Sequence, residues 1–277
     1  MFKQTFFNTF KNLFRCASFW LVFLVSIIIT VQGAISGYYG MDSDPEFVLA
    51  YQNYIQLITN SCCSTLLMYA LPIFVIITTA LILNRDFGDR FFEIEKAANI
   101  SPFSYVFGRL SALLSLNSLV LVGSHILCVW LYVYTRGGVY EMATVDFIFD
   151  SFIRILRVDF FVAMPVIVFY IGIAYGIGTI FKNGIISAVA SISYVIFFYA
   201  AFLMLRWRIT PTYFDYFSPM PYKLRNFFHY YDTEWFSRMI TNNNLSWGKA
   251  LFCIGFLCAV GIIGSLISYL RIRKRTV

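Results

Sequence analysis

The chain has 277 residues, of which 60% are hydrophobic, 20% aromatic and only 13% charged. Soluble domains carry about 25% charged residues, so this composition excludes an ordinary soluble protein. The net charge of +7 could indicate nucleic-acid binding. The Lys and Arg residues stand instead at the ends of apolar runs, where they orient a chain in the bilayer. The sequence therefore predicts an integral membrane protein.

Residues 2–15 have the pattern of an amphipathic helix. At about 100° per residue, one arc of this helix is aromatic and apolar; it holds Phe2, Phe6, Phe7, Phe10, Leu13 and Phe14. The opposite arc is polar and basic, and Lys3 is the exception because it falls among the phenylalanines. The pattern is typical of a helix lying in the membrane interface, with a slightly apolar tail as the alternative.

Six apolar runs are long enough to cross the ~30 Å hydrocarbon core as helices rising ~1.5 Å per residue. They cover residues 18–38, 61–84, 110–134, 159–180, 184–205 and 250–270. Because lipid cannot satisfy backbone hydrogen bonds, only helices and closed barrels span it. The predicted fold is therefore an all-α membrane protein with six transmembrane helices. A cleaved signal peptide is the alternative for the first run, because small residues follow it.

The distribution of positive charge indicates that both termini are cytoplasmic. An even number of spans places both termini on one side, together with twelve of the 21 Lys and Arg residues. These twelve occupy much shorter segments than the other nine, and segment 39–60 has no Lys or Arg at all. Positive residues concentrate in short cytoplasmic loops. We expect a multi-pass protein of a bacterial plasma membrane.

The sequence lacks the groups on which several other classes of membrane protein depend. No Asp, Glu, Lys or Arg lies in the middle of a predicted span, which argues against a secondary transporter. No HExxH or GxSxG motif occurs, which argues against an intramembrane enzyme. No GxxxxGK[ST] motif occurs, so the chain has no P-loop with which to bind ATP. We therefore expect no enzymatic activity, metal or cofactor in this chain.

A few polar side chains within the predicted spans are candidates for lining a substrate pathway. They are Gln32, Asn117, His125, Tyr194 and Tyr199. Hydrogen bonding between helices is the alternative role for the first three. Gly172 and Gly176 form a GxxxG motif, which favours close approach of two helices.

The segment between the second and third predicted spans, residues 85–110, is longer than a simple connection requires. Residues 86–97 mix aromatic and charged side chains in an amphipathic pattern, and Ser101 and Pro102 predict a break after it. An exposed helix of this kind suits docking to a soluble partner. The candidate docking residues are Asp86, Phe87, Gly88, Asp89, Arg90, Phe91, Phe92, Glu93, Glu95 and Lys96.

A second long segment, residues 206–249, precedes the last predicted span and is rich in Tyr, Trp and Phe. Tyr and Trp favour the boundary between water and lipid. Short helices that dip into the outer leaflet would be consistent with this composition. An aromatic belt and a substrate-release surface both remain open as interpretations.

The layout of the whole chain, residues 1–277, resembles the ABC type-2 permease family, which has a type V exporter-like transmembrane domain. Members carry an acidic, Gly-containing helix after the second span, then a Ser-Pro break and a Gly-Lys or Gly-Arg pair. The matching residues here are Asp86, Gly88, Glu93, Ser101, Pro102, Gly108 and Arg109. An N-terminal amphipathic helix and an extracellular re-entrant region, introduced here by Tyr216–Pro219, also fit the family.

This resemblance implies that residues 86–97 form a coupling helix seated in a groove of a separate ATP-binding cassette ATPase. That ATPase would bind the ATP and Mg, and a second permease, identical or homologous, would complete the transporter. The resemblance also implies export, and an amphipathic or hydrophobic substrate such as a peptide, lipid or drug is expected. A non-transporting membrane scaffold or sensor is the alternative, and a membrane-embedded lipid enzyme is a third possibility.

Overall fold

The computed structural model describes residues 2–17, 19–21, 23–25, 27–28, 31–32, 71–88, 93–94, 97–136, 145–205 and 247–276. In this part of the chain the regular structure is helical throughout and contains no strand. The helices are α1 (Phe2–Arg15), α2 (Leu71–Gly88), α3 (Pro102–Arg136), α4 (Val145–Phe181), α5 (Gly184–Leu205) and α6 (Trp247–Thr276). The predicted all-α class is confirmed for these residues.

Four of these helices contain stretches that are long and apolar enough to cross a bilayer. The stretches are Leu71–Gly88 of α2, Pro102–Gly123 of α3, Phe160–Phe181 of α4 and Leu251–Lys274 of α6. α5 is apolar over Gly184–Phe197. The chain thus has the architecture of a multi-pass membrane protein. Only helical fragments of the predicted first span are described, and residues 61–70 and 206–246 lie outside the described part.

Two helices begin well before the apolar runs that predicted them. α3 begins at Pro102 rather than at residue 110, because Ser101 caps it: Ser101 Oγ accepts a hydrogen bond from the Ser104 amide at 3.2 Å. Proline suits the first position of a helix, where its missing N–H would have no partner. α4 begins at Val145 rather than at residue 159, since its first turns carry charged residues that interrupt the apolar run.

α4 is the central helix of the bundle and contacts α2, α3, α5 and α6. Its closest approach is to α6, where a Cβ added at Gly172 would overlap the carbonyl oxygen of Gly261. A Cβ at Gly264 would likewise overlap the carbonyl oxygen of Gly172. Small residues allow helices in lipid to pack at this distance. The GxxxG of Gly172 and Gly176 is therefore where α4 meets α6.

Contacts between helices bring four parts of the chain to one end of the bundle, which we call the basal end. These parts are the start of α1, the junction of α2 with α3, the turn between α4 and α5, and the last turns of α6. The contacts are Thr5 with Gly108, Gly184 with Asn84, and Phe107 with Tyr269, whose ring centroids are 6.1 Å apart. The predicted cytoplasmic residues near these positions therefore share one end of the molecule.

Candidate functional site

A buried ion pair joins α2 to α3 at the basal end. Arg109 Nε donates a hydrogen bond to Asp86 Oδ2, and Arg109 Nη2 donates one to Asp86 Oδ1, each at 2.6 Å. Both side chains are only 3% exposed. Two parallel N–H···O bonds between a guanidinium and a carboxylate fix both distance and orientation. The two helices are therefore held in a defined register at this point.

Tyr105 completes the cluster, which we call the basal triad (Asp86, Tyr105 and Arg109). The Tyr105 hydroxyl donates a hydrogen bond to Asp86 Oδ2 at 2.9 Å, and the ring lies 4.0 Å from the Arg109 guanidinium carbon. Tyr105 and Arg109 are four residues apart on α3, so both side chains lie on one face of the helix. Asp86 thus receives hydrogen bonds from two successive turns of the neighbouring helix.

Charge balance explains why these groups tolerate burial. An isolated carboxylate loses several kcal/mol on leaving water, and a paired, fully hydrogen-bonded one recovers most of that cost. Loss of either partner would remove the opposite charge that lies directly beside the other buried group. Because Asp86 is already bonded to Arg109 and Tyr105, the triad is suited to positioning helices rather than to acid–base chemistry.

Between Asp86 and Arg109, the described residues Glu93, Ile94 and Ala97 have helical backbone. The Ala98 amide donates a hydrogen bond to the Ile94 carbonyl oxygen at 3.0 Å. Asn99 then adopts a left-handed conformation with φ of 55°, which commonly ends a helix. Glu93 and Ile94 are exposed, and Ile94 leaves 58% of its surface uncovered. The described residues 93–94 and 97–99 are therefore exposed, and they lie in the chain between two helices that Asp86 and Arg109 hold together.

The structure divides the predicted coupling segment 86–97 into parts with different surroundings. Asp86, Phe87 and Gly88 form the last turn of α2 instead of a separate helix; Asp86 lies in the basal triad, and Phe87 packs against the core. Glu93 lies in the exposed turn. Asp89, Arg90, Phe91, Phe92, Glu95 and Lys96 lie outside the described residues.

Four of the five candidate pathway residues lie on two helices, two on α3 and two on α5. Asn117 on α3 is fully buried; its Nδ2 donates to the Leu113 carbonyl oxygen at 2.7 Å, and its Oδ1 has no hydrogen-bond partner among the described residues. Tyr194 on α5 is half-buried, with its ring 6.0 Å from that of Phe169. Gln32 is exposed. His125 and Tyr199 belong to α3 and α5, and their side chains lie outside the described part.

Sequence reasoning missed two features of this arrangement. The sequence places Asp86 and Arg109 in the segment between two predicted spans, and its pattern does not predict that their side chains pair. The available signal was the i, i+4 spacing of Tyr105 and Arg109 on a helix that begins at the Ser101 cap. The second omission was Gly261 and Gly264 of α6, which receive the GxxxG face of α4.

Comparison with known proteins gives no match to any family model and no match to a curated protein. The likeness to ABC type-2 permeases therefore depends on the order of segments and on the short motifs quoted above.

Proposed function

We propose that this chain is the membrane-spanning permease subunit of an ATP-binding cassette transporter. In this proposal it has six transmembrane helices, and its basal end, with both termini, lies in the cytoplasm of a bacterial cell. The basal triad is the observation that carries the proposal. It joins the two helices between which the exposed residues Glu93 and Ile94 lie in the chain, so that a force on these residues would act on both helices together.

Mechanical coupling needs a rigid connection between a docking surface and the transmembrane helices. A bidentate Arg–carboxylate pair with an additional Tyr hydrogen bond is such a connection, and its burial protects it from screening by salt. The proposed mechanism is a rigid-body movement. ATP closes two nucleotide-binding subunits, the segment around Glu93 and Ile94 moves with them, and α2 and α3 follow through Asp86 and Arg109.

The energy source in this proposal is a separate polypeptide. The chain contains no GxxxxGK[ST] motif, so ATP and Mg would be bound by an ATPase subunit in contact with the turn at Ile94. A second permease, either another copy or a homologue, would enclose the substrate pathway together with this chain. The apolar and aromatic composition favours an amphipathic or hydrophobic cargo such as a peptide, lipid or drug. Export as the direction of transport follows from the resemblance to ABC type-2 permeases alone.

Affinity purification of the full chain from its native membranes tests this proposal. We expect a copurified polypeptide that contains a GxxxxGK[ST] motif and hydrolyses ATP. The variant Ala98→Pro should lose this partner, because proline removes the amide that donates to the Ile94 carbonyl oxygen and so disrupts the helical turn. The control Asn99→Gly should keep the partner, because glycine readily adopts the left-handed conformation found there. Purification without any nucleotide hydrolase would favour the scaffold or sensor alternative.

A further inference from the structure

An open apolar groove lies between α1 and the neighbouring helices, with a volume of about 500 Å³. Phe6, Phe7 and Phe10 of α1 form one wall, and Leu114 and Val122 of α3 mark the ends of the other. The groove opens to the exterior, since Phe7 is 64% exposed. An exposed apolar groove of this kind requires an apolar occupant.

The groove runs along a helix that is long and apolar enough to cross the bilayer. Eight residues separate Leu114 from Val122, which corresponds to about 12 Å along the helix axis. Thr5 of α1 packs against Gly108, which lies nearer the basal end than Leu114. The start of α1 is therefore at the basal end, and the α3 wall of the groove extends away from it, from about the middle of the Pro102–Gly123 stretch toward the far end of that stretch.

Lys3 places a positive charge at the basal end of this groove. It lies three and four residues before Phe6 and Phe7, on the same face of α1, and its side chain is exposed. α1 contains three basic residues and no acidic residue. An ammonium group above a row of apolar side chains complements the phosphate and acyl chain of an anionic phospholipid.

We propose that the groove holds one acyl chain of an anionic phospholipid whose phosphate contacts the Lys3 ammonium. The lipid fills the space between the α1 phenylalanines and α3 and thereby fastens α1 to the bundle. This site depends on the packing of α1 against α3 and not on any ATPase partner, so it can be tested independently of the proposed function.

Native mass spectrometry of the purified full chain tests the site. The protein is incubated with equal amounts of phosphatidylglycerol and phosphatidylcholine that carry identical acyl chains. We expect the wild-type protein to retain more phosphatidylglycerol than phosphatidylcholine. Lys3→Gln should weaken phosphatidylglycerol retention about fivefold, because one basic residue near an anionic headgroup contributes about 1 kcal/mol to binding. The control Lys11→Gln removes the same charge from the polar face of α1 and should have a smaller effect.

A second pair of variants tests the groove itself. Ser115→Phe places a ring in the groove and should reduce retention of both lipids. Ala259→Phe adds the same ring at an exposed position of α6 and should leave retention unchanged. Equal retention of the two lipids in the wild type, equal effects of Lys3→Gln and Lys11→Gln, or full lipid retention by Ser115→Phe would each overturn the proposal.

Discussion

Gly172 of α4 and Gly264 of α6 lie so close together that a Cβ on Gly264 would overlap the carbonyl oxygen of Gly172. Further along the same interface, about two turns from Gly172 on α4 and about one turn from Gly264 on α6, Thr179 Oγ1 donates a hydrogen bond to Ser268 Oγ at 3.1 Å. Lipid tails are as apolar as the helices, so helix association in a bilayer depends on close packing and interhelical hydrogen bonds. The α4–α6 interface is therefore sensitive to small changes of side-chain volume.

Alanine at Gly172 or Gly264 should destabilise the bundle. Each added methyl group meets backbone atoms of the facing helix, and overpacking of this kind costs about 1–3 kcal/mol. Thermal unfolding in detergent, followed by tryptophan fluorescence, measures the effect. Gly255→Ala is the matched control, because a Cβ there meets no described atom within 4 Å and alanine has the higher helix propensity. A similar loss of stability in all three variants would contradict the assigned interface.

Removal of one charge from the basal triad should be far more damaging than removal of both. Asp86→Asn removes the carboxylate that is paired with the buried Arg109 guanidinium, and breaking a buried ion pair from one side costs about 3–5 kcal/mol. The double variant Asp86→Leu/Arg109→Leu replaces the pair with apolar groups and should recover most of that stability. Chemical unfolding in mixed micelles measures both variants. A double variant as unstable as Asp86→Asn would show that the pair has another structural role.

Tyr105→Phe isolates the third hydrogen bond of the triad. The phenylalanine ring keeps its position beside Arg109, while the hydrogen bond to the Asp86 carboxylate is lost, at a cost of about 1.5–3 kcal/mol. The same substitution in the Asp86→Leu/Arg109→Leu background should have little effect, because its acceptor is already gone. Comparison of the two unfolding free energies gives the coupling energy directly. Equal effects in both backgrounds would argue against the hydrogen bond.

The turn between α4 and α5 depends on a capping side chain. Asn183 Oδ1 accepts hydrogen bonds from the amides of Ile185 at 2.8 Å and Ile186 at 3.2 Å. Asn183→Ala should lower the unfolding free energy by about 1 kcal/mol, whereas Asn183→Ser, which can still cap, should keep most of it. Thermal unfolding of the two variants distinguishes them. Indistinguishable stabilities of the alanine and serine variants would show that the cap contributes little.

Hydropathy predicted the start of a helix correctly where the apolar run begins at the first residue of the helix. α5 begins at residue 184 as expected, because the Asn183 cap directly precedes its apolar run, and the described helix extends to residue 205. The starts of α3 and α4 could not be read from hydropathy. The first turn of α3 is stabilised by the Ser101 cap, and the first turns of α4 carry charged residues. Neither a cap nor a charged residue contributes to an apolar run.

The basal triad depends on tertiary contacts that local pattern does not determine. Asp86 follows one apolar run and Arg109 precedes the next. Charged residues at the ends of apolar runs are ordinarily expected to be exposed to solvent. Only the packing of α2 beside α3 brings Asp86 and Arg109 within 2.6 Å and buries them. The GxxxG motif of Gly172 and Gly176 predicted a close contact between two helices but not which helix is the partner. The packed structure shows that the partner is α6.

Photo-crosslinking from position 94 tests most directly whether the exposed turn receives its driving force from a soluble nucleotide hydrolase. The full chain is expressed in its native cell with p-benzoylphenylalanine in place of Ile94, and crosslinked products are identified by mass spectrometry. The same probe in place of Ile196, an exposed residue of α5, is the control and should label lipid. We expect the probe at position 94 to capture a polypeptide that contains a GxxxxGK[ST] motif. Labelling of lipid alone at position 94, as at position 196, would contradict the transporter proposal.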